Sequence, residues 1–227
     1  MKYYLGVEEI EPEHWLAWVF DMPGCFSRAR SQSAVIAEAP EAIADYLDWL
    51  EGYSYSGQRD VSNMEVEVAE TFDWFVTGND YRVNAFFEDD RRLLTSDDSY
   101  HAAWLLECSR KDLMSVVQPL TAKQLNRPIE GEVRHSIRGV LMHIAGAEHW
   151  YFESLHLAFD RSEMPSDVFR SLSKVRARTV DLLDDLVGNA AIGERKGELW
   201  SARKIVRRAL WHERAHTRQI LRYLKNG

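Results

Sequence analysis

Four amphipathic stretches in the second half of the chain constrain the fold more than any other feature. They cover residues 99–119, 136–158, 166–187 and 201–223. Within each stretch, apolar residues recur at the three- and four-residue spacing that places them on one face of a helix. Four such helices can bury their apolar faces against one another, so the sequence predicts an all-α four-helix bundle over residues 96–227.

The first half of the chain has the pattern of a small α+β domain. Its predicted elements are strands at 2–10, 14–22 and 25–30, a helix at 40–51 and a strand that runs from 65 toward 75. The strands are rich in β-branched and aromatic residues, and the last of them alternates glutamate with valine. This β-β-β-α-β order predicts an α+β domain over residues 1–95, which includes the segment that connects it to the helices.

Charge differs between the two halves. Residues 1–95 contain 7 Lys and Arg against 19 Asp and Glu, whereas the remaining residues contain 21 against 17. An acidic domain repels phosphate backbones, so no nucleic-acid partner is expected. The basic side chains of the second half collect on the last helix, where a solvated helix face is the simpler interpretation.

Cysteine usage and hydropathy predict a cytoplasmic protein. Cys25 and Cys108 stand far apart and form no C-x-x-C pair, so both are interpreted as buried thiols. The N-terminal residues reach glutamates before any apolar run of signal-peptide length. No stretch contains the roughly 18 apolar residues of a membrane span, so no membrane association is expected.

The pentapeptide His212-Glu213-Arg214-Ala215-His216 is the strongest chemical motif. Its two imidazoles, four residues apart on a helix, are separated by about 40° and can bind one cation. The spacing is that of the zinc-protease signature H-E-x-x-H. Residues 217–227 contain no His, Asp, Glu or Cys, so a third ligand cannot come from downstream and must lie earlier in the chain.

His143 is the best candidate for that third ligand. It lies near the apolar stripe of the second predicted helix, as His212 and His216 lie at the margin of the stripe on the last one. We therefore expect the three imidazoles to meet inside the bundle, although histidines at such positions also occur as ordinary core residues. His149 is six residues from His143, about 240° around the helix, and is expected to point elsewhere.

Glu148 and Glu213 lie near the same apolar stripes and have two interpretations. One is an ion pair inside the bundle, with Arg110 or Arg138 as the partner. The other is a role at the site, in which a carboxylate orients an imidazole or accepts a proton.

The N-terminal half resembles the HicB-type domain of antitoxin-related proteins. The resemblance covers roughly the first 50 to 75 residues and includes Tyr3, Trp18 and the turn Asp21-Met22-Pro23-Gly24-Cys25. It implies a possible protein partner for this domain. The DNA-binding segment that often accompanies such domains is not recognisable here.

The C-terminal half resembles the DinB/YfiT-like metal-binding four-helix bundle family. The resemblance runs from about residue 101 to 224 and includes an arginine at Arg110, the segment 136–150 and the last-helix histidine pair. It implies a metal triad of His143, His212 and His216. Glu213 is not required by the family pattern, and His135 stands where relatives often have tryptophan.

The resemblance implies a divalent-metal-dependent enzyme with an open coordination position. The expected reaction is thiol S-transfer or a related nucleophilic reaction, with a small-molecule substrate that includes a low-molecular-weight thiol. Zinc or nickel is expected at the site, with iron or manganese as alternatives. A homodimer is also expected. The alternatives are a metal-dependent hydrolase, and a non-catalytic, metal-stabilised binding or regulatory module whose acidic half docks a protein partner.

Overall fold

A computed structural model describes residues 1–55, 64–78 and 80–225. The chain divides into two compact units. The first consists of Met1–Arg92 together with Glu194–Leu199, and the second consists of Leu93–Gly193 and the chain from Trp200 onward. The boundary predicted at 95/96 does not anticipate that residues 194–199 group with the first unit.

The first unit is built on a four-stranded sheet. Its strands are β1 (Lys2–Glu11), β2 (His14–Val19), β3 (Phe26–Ala29) and β4 (Glu65–Phe72), and they lie in the order β3-β2-β1-β4. β1 is antiparallel to β2 and parallel to β4. A parallel neighbour requires a long crossover, and the chain between β3 and β4 contains helical segments that serve this purpose.

Two helices lie in this crossover, where the sequence predicts one. They are α1 (Gln32–Ala37) and α2 (Ala39–Glu51). α1 is capped by Ser31, whose side chain accepts a hydrogen bond from the backbone N–H of Ala34. A six-residue helix gives too short a periodic signal to be read from sequence, whereas α2 begins and ends within one residue of its prediction.

The second unit is helical. In the described part of the chain its helices are α3 (Ser96–Val117), the short α4 (Ala122–Asn126), α5 (Ile137–Glu153), α6 (Val168–Leu183) and α7 (Ala202–Lys225). α3 and α5 each pack against the same two helices, α6 and α7. None of the described helices, including the 24-residue α7, is both long and apolar enough to cross a membrane.

Buried aliphatic side chains from these helices form one hydrophobic core. Its members include Leu113 of α3, Leu141 and Ile144 of α5, Leu172 of α6 and Ile220 of α7. Every long helix contributes apolar side chains to this core. Their burial stabilises the positions of α5 and α7 relative to each other. The two cysteines are buried thiols outside any disulfide, as predicted.

α5 and α6 end earlier than the sequence predicts. α5 ends at Glu153, five residues before the predicted end at 158, and α6 ends at Leu183 rather than 187. Beyond α5, His156 has a φ of 59°, a left-handed conformation that interrupts a right-handed helix. The apolar residues that continue the pattern past these ends belong to the following loops.

A short hairpin occupies residues 193–200, which the sequence predicts as a connection without regular structure. It consists of β5 (Gly193–Arg195) and β6 (Glu198–Trp200). The two residues between the strands, Lys196 and Gly197, have φ angles of 57° and 83°. Positive φ at both central positions is the requirement of a type I′ turn, which suits a two-residue hairpin loop.

Buried hydrogen bonds explain why residues 194–199 group with the first unit. Glu198 is fully buried, and its Oε2 atom accepts a hydrogen bond from Tyr81 Oη at 2.5 Å. The same oxygen accepts one from Asn84 Nδ2 at 3.0 Å. A buried carboxylate needs such donors. Because the partners lie far apart in sequence, the hydrophobic periodicity of the chain could not predict this contact.

Two glycines of α5 are expected to respond oppositely to replacement by alanine. A Cβ at Gly139 would lie 2.0 Å from the carbonyl oxygen of Arg134, whereas a Cβ at Gly146 would meet nothing within 4 Å. Gly139→Ala should therefore lower the free energy of unfolding by about 1–3 kcal/mol through overpacking. Gly146→Ala should raise it by up to about 1 kcal/mol, because alanine is the better helix former.

Urea denaturation of the two variants, followed by the helical circular dichroism signal, measures both effects. The pair is matched because both changes add one methyl group to the same helix. Equal stability of the two variants would contradict the close approach of the Arg134 carbonyl to Gly139.

Candidate metal centre

Three histidine side chains from two helices converge in the second unit. His143 lies in α5, and His212 and His216 lie one turn apart in α7. The Nε2 atom of His212 is 3.0 Å from Nε2 of His143 and 3.1 Å from Nε2 of His216. One nitrogen of each ring lies within 4.8 Å of the other two. The structure thus brings together the three residues that the sequence predicts as a triad.

The triad is open to solvent on one side. His212 is buried, with 8% of its surface exposed, whereas His143 and His216 are half-buried. The three ring planes cross at 64° to 87°, so the rings approach by their edges, where the nitrogen atoms lie. The partial exposure of His143 and His216 places the triad at the border between the interior of the unit and solvent.

Hydrogen bonds fix the position of the proton on His216. Gln219 Nε2 lies 3.4 Å from Glu132 Oε2, and since a carboxylate can only accept, the amide nitrogen must face Glu132. The amide oxygen then faces His216 Nδ1 at 2.6 Å, so Nδ1 carries the proton and donates a hydrogen bond to that oxygen. A neutral imidazole has one N–H, and Nε2 of His216 therefore directs a lone pair toward the other two rings.

Gln219→Leu is expected to weaken metal binding by about 10–100-fold, the usual effect of removing the group that orients a histidine ligand. Without the amide oxygen, His216 can rotate or carry its proton on Nε2, which then cannot bind a cation. Calorimetric titration of the metal-stripped protein with zinc measures the change. Gln118→Leu, at an exposed glutamine after α3, is the control and should leave the affinity unchanged.

Burial keeps the three imidazoles neutral. It lowers the pKa of His143 to about 4, an effect to which Arg134 and His216 add. Burial also lowers the pKa of His212 well below its ordinary value, and that of His216 in spite of the hydrogen bond to Gln219. A metal ligand must be unprotonated, so three neutral imidazoles are ready to bind a cation at neutral pH.

The donor set fits a divalent transition metal. Tetrahedral ligands with zinc–nitrogen bonds of about 2.0–2.1 Å lie roughly 3.3 Å apart, close to the 3.0 and 3.1 Å separations from His212. Among the described residues, no carboxylate or thiol joins this group. Three protein ligands leave a coordination position for water or substrate.

Glu148 and Glu213 belong to a buried network of four charged residues, one from each long helix. Arg176 of α6 donates from Nε and Nη2 to Glu148 at 2.8 and 3.1 Å, and from Nη2 to Glu213 at 3.1 Å. Arg110 of α3 donates to Glu213 at 2.7 Å and to Glu148 at 3.3 Å. Thr179 adds a hydrogen bond to Glu148 at 2.7 Å. The network joins all four long helices.

The positive and negative charges of this network balance one another. Burial alone raises the pKa of Glu148, but the guanidinium groups of Arg176 and Arg110 lower it below its ordinary value. The carbonyl oxygens of Leu106 and Leu172 accept from the remaining guanidinium nitrogens of Arg176 and Arg110. Two carboxylates and two guanidinium groups are thus paired without a net charge.

These contacts support the ion-pair interpretation of Glu148 and Glu213. None of their hydrogen bonds in the described structure reaches an imidazole, and a role for either residue at the site stays a prediction. Arg110 is a partner, as predicted. Arg138 is not, because its Nε donates to Asn126 instead.

Residues outside the triad divide into those that sequence reasoning placed correctly and those it missed. His149 points away from the triad, as expected, and its Nε2 lies 2.9 Å from the carbonyl oxygen of Phe159. Arg134, Gln219 and Arg176 were missed. Their roles depend on contacts between segments distant in sequence, and no motif marks them.

Comparison with known proteins identifies the helical half. The DinB superfamily matches residues 105–220, just over half of the chain and a span that contains His143, His212 and His216. No curated protein and no solved structure matches the chain. The match does not extend to residues 1–104, so the HicB-like resemblance stays a prediction. On the match over residues 105–220, the chain belongs to the DinB superfamily, whose members are generally metal-binding.

Proposed function

We propose that this protein is a divalent-metal-dependent enzyme that transfers a thiol to an electrophilic small molecule. The observation that carries the proposal is the convergence of three imidazole Nε2 atoms on one partly exposed point. A site with three protein ligands and an open position is typical of catalytic rather than structural metal centres. Four long helices that pack around one core support the four-helix-bundle architecture of the family.

His143, His212 and His216 would hold the ion. A bound divalent cation lowers the pKa of a coordinated thiol and so provides a thiolate at neutral pH. The protein supplies the arrangement: burial keeps the imidazoles neutral, and Gln219 keeps the Nε2 lone pair of His216 directed inward. Three imidazoles suit zinc or nickel, with iron or manganese as alternatives.

The position of Glu213 argues against hydrolysis of the zinc-protease type. A hydrolase of the zinc-protease type uses a carboxylate beside the metal as its general base. Glu213, which holds that position in the motif, is 1% exposed and bonded to two arginines. Because Glu213 is not available as that base, thiol transfer, in which the bound cation itself would lower the pKa of the thiol, fits the site better than hydrolysis of the zinc-protease type.

The test is a conjugation assay on the full, tag-free chain. Metal-stripped protein and protein reloaded with zinc or nickel are mixed with 2-mercaptoethanol and 1-chloro-2,4-dinitrobenzene, and thioether formation is followed by absorbance. We expect a rate above the uncatalysed one only in the metal-loaded protein, with His143→Ala close to the uncatalysed rate. A loaded wild-type protein no faster than the same metal in buffer would refute thiol transfer.

The first unit supports a second proposal, that it is a HicB-like module that docks a basic protein partner. Its three strands, two helices and fourth strand, and its 19 acidic against 7 basic residues in positions 1–95, support this role. Binding of such a partner to the full chain should weaken steeply with added salt. Association that does not respond to salt would argue against it. The homodimer stays a prediction, for which sedimentation is the direct test.

A further inference from the structure

Arg134 is a cation placed directly beside the triad. It lies in the segment that leads into α5, and its Nη2 atom is 3.5 Å from Nε2 of His143. That nitrogen also lies 3.0 Å from Nε2 of His212. Arg134 is exposed, so its guanidinium group borders the solvent-accessible side of the site.

The backbone around Arg134 is held by hydrogen bonds. Ile129 N donates to the carbonyl oxygen of His135 at 2.9 Å, and His135 N donates to that of Glu132 at 3.0 Å. The carbonyl oxygen of Arg134 accepts from Ser136 N at 2.8 Å. Gly139 allows this carbonyl to lie against the first turn of α5, where a Cβ would collide with it. The position of Arg134 is therefore built into the fold.

The charge of Arg134 is not balanced by the protein. Within residues 1–55, 64–78 and 80–225, its side chain takes part in no ion pair, and His143 is its one hydrogen-bond partner. The neighbouring histidines are neutral ligands, so a divalent cation among them would add a second positive charge beside the guanidinium group. Water screens part of this repulsion because Arg134 is exposed, and an anion bound between the two cations would relieve the rest.

We propose that Arg134 binds a carboxylate group of the substrate, next to the open coordination position of the three-histidine site. This inference rests on the proposed function and names the class of molecule it acts on: a thiol or electrophile with a carboxylate. A guanidinium group matches a carboxylate in shape and can donate two parallel hydrogen bonds to it. One arginine balances one negative charge, which favours a carboxylate over a doubly charged phosphate.

Two matched probes test the inference: 3-mercaptopropionate and its uncharged methyl ester. Each is titrated calorimetrically into zinc-loaded full-length protein, after its zinc content has been measured. We expect the wild type to bind the acid at least about tenfold more tightly than the ester, as for a charge-assisted hydrogen bond. Arg134→Gln should reduce this preference to within about twofold and leave the affinity for the ester unchanged.

Arg138→Gln is the matched control. Arg138 also lies near the start of α5, but it donates to Asn126 rather than to the triad, so this variant should keep the wild-type preference. The outcomes separate the two proposals. A protein that takes up no zinc contradicts the proposed function and this inference together. A zinc-loaded protein that binds neither probe, shows no preference, or keeps its preference in Arg134→Gln overturns the role of Arg134 alone.

Discussion

Arg176→Ala is expected to lower the free energy of unfolding by about 3–5 kcal/mol, the usual cost of breaking a buried ion pair by removing one partner. Arg176 bonds to both Glu148 and Glu213 and to the carbonyl oxygen of Leu106. Its loss leaves two buried carboxylates with Arg110 as the remaining guanidinium partner. Urea denaturation followed by the helical circular dichroism signal measures the change.

Arg170→Ala is the control for this experiment. Arg170 lies on the same helix as Arg176 but is exposed, so its replacement should change stability by less than about 0.5 kcal/mol. Arg176→Lys should recover little, because an ammonium group cannot bridge two carboxylates in the way a planar guanidinium does. If Arg176→Ala is no less stable than Arg170→Ala, the network does not stabilise the helical unit.

His212→Ala is expected to reduce the affinity for zinc by more than about a hundredfold, beyond the effect of losing a group that merely orients a ligand. His212 is the central ring of the triad, because its Nε2 atom lies within 3.1 Å of both of the other Nε2 atoms. Removal leaves two ligands on different helices. Titration of the metal-stripped full chain with zinc gives the affinity.

His156→Asn provides the comparison for His212→Ala. His156 is an exposed histidine with a φ of 59°, a conformation that asparagine tolerates. This variant removes one imidazole without touching the triad and should bind zinc as the wild type does. Equal losses in the two variants would show that zinc binds histidines at the surface instead.

The sequence predicted those residues of the site whose positions depend on helix periodicity. The four-residue spacing of His212 and His216 places both on one face of α7, whatever the rest of the fold. His143 could be predicted as the third ligand because it lies near the apolar stripe by which α5 packs against its neighbours.

The rest of the site depends on packing between helices, which periodicity does not specify. Several arginines on α6 look alike in sequence, and only the packed structure selects Arg176 as the partner of Glu148. The pairing of Gln219 with Glu132 joins residues from different segments in the same way. The hairpin at residues 193–200 was missed because strands of three residues are too short to show alternation.

Thiol transfer and the role of Arg134 both depend on the binding of one divalent metal by His143, His212 and His216, with one coordination position left open. X-ray absorption of the zinc-loaded, tag-free chain tests it most directly. We expect three imidazole ligands at about 2.0–2.1 Å, with the remaining coordination supplied by water, and the loss of one imidazole in His143→Ala. A spectrum with fewer than three imidazoles, or one that His143→Ala leaves unchanged, would contradict it.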